Sequence, residues 1–245
     1  MIWPTGADQL TSVREMRSPQ PVAMSRPEPQ PTNQEPGRFS RYATILLAIF
    51  AGIIVISAII LAADNIFSIG FVFERNYNEG WNVYNAERLI HHEVIYDDNY
   101  WRVNNYPIIS FVVIAGVDFL FHDLLLSGRL VSAAAFLAIG ALAAAITRRF
   151  GGDRIDAAFS GGCALGFCYL IAPAWVAADD PQTLAEAFML GGLATYLAAG
   201  TRRNGLLCAA LLVMVGGFIK HSLVAIPLAI SCLLYTSPSP RDRQK

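Results

Sequence analysis

Between Tyr77 and Phe111 the chain reads YNEGWNVYNAERLIHHEVIYDDNYWRVNNYPIISF, a stretch dense in groups that can do chemistry. Asn78 suits a helix N-cap, which puts Glu79 in the first turn of a helix expected to run to about His92. Val83, Ala86 and Ile90 follow Glu79 at steps of four, three and four and define one helix face. The helix dipole favours an ionised Glu79, and an ionised carboxylate can serve as a general base or hold a cation. A plain helix-start glutamate is the competing reading, because first-turn acids also arise from capping alone. Tyr77, Trp81, Tyr84, Tyr96, Tyr100, Trp101 and Tyr106 crowd the same stretch. Rings of this kind form interfacial belts, and they also stack on sugar faces while offering polar handles. A belt alone does not account for the interleaved Asn82, Asn85, Asn99, Asn104 and Asn105.

Further candidates lie downstream. Asp179 and Asp180 precede Pro181, Lys220 and His221 end an apolar run, and Arg129 sits near the start of another. Asp97-Asp98 reads as a solvated turn and a second candidate for cation or acceptor contact. His91-His92-Glu93 is a poor metal site, because adjacent helical residues point about 100° apart.

The elements that must position these residues are apolar. Tyr42 to Ala63 is a charge-free run of about 22 residues, enough to cross ~30 Å of hydrocarbon as a helix. Arg38 and Arg41 precede it, so the positive-inside rule assigns the N-terminus to the cytoplasm. Pro107–Phe121 is only about 15 residues long, contains Asp118 and falls short of a span. Were it to cross, Arg148, Arg149 and Arg154 would be delivered outside, against the charge rule. With it non-spanning, Leu126–Ile146 returns inward, Ala157–Ala177 goes outward and Leu184–Ala199 comes back to Arg202 and Arg203. Gly205–Phe218 then goes out to Lys220, and a sixth run begins at Ser222. Glu79, Asp97, Asp98, Asp179, Asp180 and Lys220 consequently share the outer face, periplasmic or exterior.

Composition agrees with an all-α, polytopic membrane protein. The chain is 54% hydrophobic and 15% charged with a mean hydropathy of +0.43. Its net charge of -1 offers no basic surface for nucleic acid. Cys163, Cys168 and Cys208 lie in apolar runs and read as small buried residues. Cys163 and Cys168 are poorly spaced for a disulfide. Residues 1–37, rich in Pro, Gln, Ser, Glu and Arg, are expected to be a disordered cytoplasmic tail ahead of a retained signal-anchor. CLLYTSPSPRD at Cys232–Asp242 resembles, in back-translation, a transposon mosaic end and sequencing adaptor read in frame. Residues 232–245 are therefore set apart, and residues 38–231 are expected to be a transmembrane domain cut short within its sixth span. Its first external loop and juxtamembrane helices occupy residues 64–125.

Taken in order, four segments resemble the GT-C superfamily of membrane glycosyltransferases. The similarity is to the branch of protein O-mannosyltransferases and the aminoarabinose transferase acting on lipid A. NEGWNVYNAERL with IYDD and NNYPIISF is similar to the family's first external loop, with its acidic pair. SGRLVSA (Ser127–Ala133) resembles the Arg-bearing start of the second span, and WVAADDPQTLAEAF (Trp175–Phe188) the second external loop. GGFIKHSLVAIP (Gly216–Pro227) resembles the Thr-Lys-Gly segment.

The resemblance implies transfer of a sugar from a polyprenyl-phosphate donor to an extracytoplasmic lipid, glycan or protein acceptor, among membrane lipids. Glu79 takes the place of the second acid of the pair and Asn78 replaces the first, so the division of labour between them departs from the family's. Asp179 matches the second-loop acid, with Asp180 beside it. Glu79, Asp179 and Asp180 are the catalytic candidates. Arg129 and Lys220 fall where relatives carry cations and would bind the donor phosphate. An Arg129 that snorkels as an interfacial anchor is the plainer alternative. Lys220 is the stronger of the two, since a lysine near a span centre costs ~2.5–3.5 kcal/mol. Asn78, Trp81, Tyr84 and Tyr106 complete the substrate-binding candidates. In relatives the acidic pair is tied to acceptor activation or to a divalent cation, and the metal question stays open. A polytopic transporter or lipid flippase is the alternative function, predicting charges within spans and Gly/Pro-interrupted repeats. A non-catalytic assembly subunit is a second rival.

Overall fold

The computed structural model describes residues 38–96 and 104–236. The tail expected over 1–37, Asp97-Asp98 with Asn99, Tyr100 and Trp101, and the chain beyond Thr236 lie outside the described residues. Within them the fold is all-α, with eight helices and no strand. These are α1 Arg38–Phe67, α2 Tyr77–Ile90, α3 Ile109–Phe121, α4 Leu124–Arg149, α5 Arg154–Ile171, α6 Pro181–Ala199, α7 Arg203–Ile219 and α8 Ala225–Thr236.

Among the described residues two helices are long and apolar enough to cross a membrane: Tyr42–Gly70, 29 residues, and Leu124–Arg149, 26 residues, whose 18-residue apolar stretches have mean hydropathies of 3.1 and 2.2. Helix α3 has 13 residues and extends ~20 Å, shorter than a span, as its sequence length implies. α1 packs on α5, α4 on both α5 and α6, and α6 on α7, while α2 and α3 pack against α4. Small residues permit these approaches. A Cβ built on Gly161 would lie 2.9 Å from the Gly140 carbonyl oxygen, and one on Gly216 3.1 Å from that of Ala185.

Two boundaries differ from the sequence expectation. The Ala157–Ala177 run is not one helix, for α5 stops at Ile171 and a 3-10 turn covers Pro173–Trp175. Pro173 lacks an N–H and disfavours the helical region for Ala172, whose φ is -146°. Helix α2 ends at Ile90 instead of His92, whose φ of 58° lies in the left-handed region. Cys208, expected inside, is exposed on α7. Helix α8 continues through Cys232–Thr236, residues set apart on sequence grounds, and buries none of its side chains.

This winding gives the bundle two chemically different ends. Arg148 and Arg149 close α4, Arg154 opens α5, and Arg202 and Arg203 join α6 to α7. At the opposite end stand the starts of α4 and α6, the end of α7, and α2. That end carries the buried polar groups.

Candidate functional site

Helix α2 is started by Asn76. Its backbone is extended (φ -153°, ψ 165°) and its side-chain oxygen accepts the N–H groups of Asn78 at 2.9 Å and Glu79 at 3.3 Å. Asn78 is therefore the second helical residue and not the cap, which frees its side chain for another partner. Glu79 stands in the first turn, as its sequence position implies.

Glu79 and Arg129 form a fully buried pair, both 0% exposed. Arg129 donates from Nε to Glu79 Oε1 and from Nη2 to Oε2, each at 2.8 Å, a two-pronged geometry suited to guanidinium and carboxylate. Its remaining N–H groups reach the carbonyls of Ser68 at 3.3 Å, Ile69 at 3.1 Å, Phe71 at 2.5 Å and Phe73 at 2.8 Å. Every guanidinium donor is thereby engaged within the chain. Arg129 consequently departs from both sequence readings: it neither snorkels to a surface nor has an N–H left for a donor phosphate. It anchors the segment after α1 and fixes Glu79.

Glu79 is just as fully occupied. Oε2 also accepts the backbone N–H of Arg75 at 2.6 Å, and Oε1 that of Asp179 at 3.1 Å. Burial alone would raise its pKa. The Arg129 hydrogen bonds, the two backbone N–H groups and the Arg129 charge outweigh that and hold it below the ordinary glutamate value. Glu79 is thus a fixed negative centre rather than a carboxylate open to a substrate proton.

Asp179 and Asp180 arrive on the turn after Trp175. Ala177 in this turn is fully buried with φ 52°, and its carbonyl accepts from Arg75 Nη2. Arg75 also donates to Ser68 Oγ at 2.7 Å and to the Asn65 carbonyl at 3.2 Å. Asn82, one turn beyond Glu79 on α2, donates to the Asp179 carbonyl at 2.6 Å. The Asp179 carboxyl is 1% exposed and packs over Gly128, where any Cβ would collide with it. Its Oδ2 has no hydrogen-bond partner among the described residues. Burial first, then the Glu79 and Asp180 charges, push its pKa well above the ordinary aspartate value, against the smaller pull of Arg129.

Asp180 is the N-cap of α6, accepting from Gln182 N–H at 2.8 Å with Pro181 at the first helical position. Its Oδ2 accepts from Asn78 Nδ2 at 3.1 Å, and its Oδ1 meets Lys220 Nζ at 3.4 Å. Lys220 caps the end of α7, so a carboxylate at one helix N-terminus faces an ammonium at another's C-terminus, each favoured by its dipole. The ammonium also lies 5.0 Å from the Trp175 ring centre and 5.5 Å from that of Tyr106. Burial, the Asp180 charge and then Tyr77 raise the Tyr106 pKa.

Asn78, Trp81, Tyr84 and Tyr106 line an open cleft of about 630 Å³ with Glu74, Tyr77, Gly80 and Asn105. Trp81 and Tyr84 are 6.2 Å apart and tilted by 35°. On the other side of Trp175 runs an apolar groove of about 560 Å³, lined by residues of α4, α5, α6 and Ser222–Ile226. Lys220 stands between the two, touching Trp175 of the groove and Tyr106 of the cleft.

The nine residues singled out from sequence thus gather at one end of the bundle. Arg75, Gly128 and Trp175 join them. Arg75 carried a readable signal, being an arginine at the end opposite the arginine clusters and four residues ahead of Glu79. Among the described residues a divalent cation does not fit the donor set: Glu79 is saturated by Arg129 and backbone N–H groups, Asp180 is shared among Lys220, Asn78 and Gln182, and Asp179 offers a single unpartnered oxygen. Among the described residues no group of three His, Cys, Asp or Glu side chains is disposed to hold a metal. Comparison with protein-family models, curated proteins and solved structures gives no match, so the functional reading rests on the geometry of the site.

Proposed function

We propose that the chain is a polytopic membrane glycosyltransferase resembling the GT-C superfamily. It transfers a sugar from a polyprenyl-phosphate donor to an acceptor hydroxyl on the extracytoplasmic face. α5 and α6, packed on α4, and α7, packed on α6, cross the membrane with it, and the arginine-rich ends face the cytoplasm. One observation carries the reading: Asp180 and Lys220 meet at 3.4 Å between an aromatic and amide-lined cleft and an apolar groove. A lipid-linked sugar phosphate has the matching sequence of parts, with an apolar chain, an anion and a polyol.

In this mechanism the donor chain lies along the groove and its phosphate beside Lys220. The sugar and the acceptor occupy the cleft against Trp81, Tyr84 and Tyr106. Asp180 takes the proton of the acceptor hydroxyl as its oxygen bonds to the anomeric carbon. The bond from that carbon to the phosphate oxygen breaks, the phosphate leaves with the electron pair, and Lys220 meets the charge. Asn78 orients Asp180. Glu79 and Arg129 hold the frame, and Asp179 is seated over Gly128 beside them.

The test is turnover of a radiolabelled polyprenyl-phosphate sugar by the reconstituted complete protein, against Asp180→Asn and Lys220→Met. Loss of transfer in both variants with donor binding weakened only in Lys220→Met supports the assignment. Undiminished transfer by either variant overturns it.

A further inference from the structure

Directly after the apolar stretch Tyr42–Gly70, the chain makes a tip of three apolar side chains, Phe71, Val72 and Phe73. They are 49%, 91% and 61% exposed, although nothing in their chemistry favours water. The two phenyl rings stack at 5.4 Å, forming one apolar wedge. The wedge stands on an immobilised backbone. Phe71 N–H closes a turn onto the Ser68 carbonyl at 3.1 Å, and the carbonyls of Ser68, Ile69, Phe71 and Phe73 all accept from Arg129. A segment held by a fully buried guanidinium cannot readily fold its side chains inward to escape solvent. Ile56, Ile59 and Ile60 of α1 are exposed below the tip, and past the exposed Asp64 the apolar surface resumes at Ile66 and Phe67. From Phe67 it runs into the wedge, so the wedge lies within one helical turn of the end of the α1 surface.

We infer that Phe71–Val72–Phe73 is an interfacial anchor, dipping into the outer leaflet of the bilayer that α1 crosses. The occupant is lipid, chosen because the tip directly follows the apolar stretch Tyr42–Gly70, and the inference rests on the reading of α1 as a span. It adds a consequence to that reading. The guanidinium that grips the tip's carbonyls also grips Glu79, and Glu79 grips the Asp179 backbone. The depth of the wedge therefore sets the height of the acid cluster above the lipid, where a membrane-borne donor presents its phosphate.

The experiment uses the full chain in phosphatidylcholine vesicles, with its four native cysteines replaced by alanine and a fluorophore on Val72→Cys. A second label on Ile53→Cys in α1 reports the span independently. Quenchers are nitroxide lipids labelled near the headgroup or near the chain end, and aqueous iodide. The expected result is chain-end quenching at position 53, with headgroup-region quenching and several-fold protection from iodide at position 72. The paired change Phe71→Ser and Phe73→Ser should return the position-72 label to iodide. Iodide quenching at 72 with lipid quenching at 53 overturns the anchor and leaves the span standing. Protection at 72 from both lipid and iodide means that protein covers the tip, and also overturns it. Absence of lipid quenching at 53 removes the span reading, and the anchor with it.

Discussion

Glu79 Oε1 accepts the main-chain N–H of Asp179 at 3.1 Å, tying α2 to the turn before α6 across 100 residues of sequence. The same oxygen accepts from Arg129, so one carboxylate joins α2, α4 and the α5–α6 connection. Because both members of the pair are fully buried, removing one leaves the other without compensation. Glu79→Gln should cost ~3–5 kcal/mol, the range for breaking a buried pair by deleting one charge. Detergent-solubilised protein titrated with SDS would report this as a large fall in the unfolding midpoint. A midpoint equal to that of the parent chain would contradict the buried pairing.

Glu79 and Asp179 should pull the pH dependence of stability in opposite directions. Asp179 has a raised pKa. From the ordinary aspartate range up to that raised value, the unfolded chain has released its proton while the folded chain retains it. Stability from this residue is complete below the ordinary range and is lost as pH rises through the window. Glu79 has a lowered pKa, so its contribution is complete above the ordinary glutamate range and disappears as pH falls toward the depressed value. Asp179→Asn keeps a neutral side chain of the same size and removes the first slope. The variant should therefore gain stability relative to the parent as pH rises from about 4 to neutrality, starting at the ordinary carboxylate value. Unfolding midpoints across that range would check it, and parallel curves would refute the assignment.

The helices and their polarity were legible in the sequence because apolar run length and arginine placement are strong, local signals. So was the company kept by Glu79, Asp179, Asp180 and Lys220, since alternating runs put them at a common end. The roles within that company were not legible. A first-turn glutamate looks the same in sequence whether it faces a substrate or a buried guanidinium, and the phosphate role expected of Arg129 comes from the family resemblance, which shows no contact to Glu79. The cap of α2 was misplaced from Asn76 to Asn78 because either asparagine satisfies the local rule, and backbone dihedrals alone separate them. The end of α5 at Ile171 was written in Pro173, yet hydropathy carried the run past it.

Gly128 is the seat of Asp179, and that contact is invisible in either segment alone. Gly128→Ala would drive a methyl group into the carboxyl, with an overpacking cost of ~1–3 kcal/mol. If the cost arises from this contact, shortening the partner should relieve it. The double variant Gly128→Ala with Asp179→Ala should be more stable than the sum of the single changes implies, by ~0.5–3 kcal/mol of coupling. Four unfolding midpoints close the cycle. Strict additivity would mean that Gly128 serves some purpose other than making room for the acid.

The Asp180–Lys220 contact separates architecture from chemistry most cleanly, because each partner can lose its charge while keeping its structural task. Asn is as good an N-cap as Asp, so Asp180→Asn should leave α6 started, with a fall in the unfolding midpoint from the lost Lys220 and Asn78 contacts that is smaller than the fall for Glu79→Gln. Lys220→Met keeps the apolar stem against Trp175 and Tyr106 and discards only the ammonium. A group that meets the charge growing on the departing phosphate is needed most in the transition state. Lys220→Met should therefore lower kcat by ~10²–10³-fold, the loss seen when one such donor is removed. Asp180→Asn should abolish transfer, because the proton acceptor itself is gone. A Lys220→Met enzyme with normal kcat and only a raised KM would reassign the amine from leaving-group stabilisation to uniform binding of the donor.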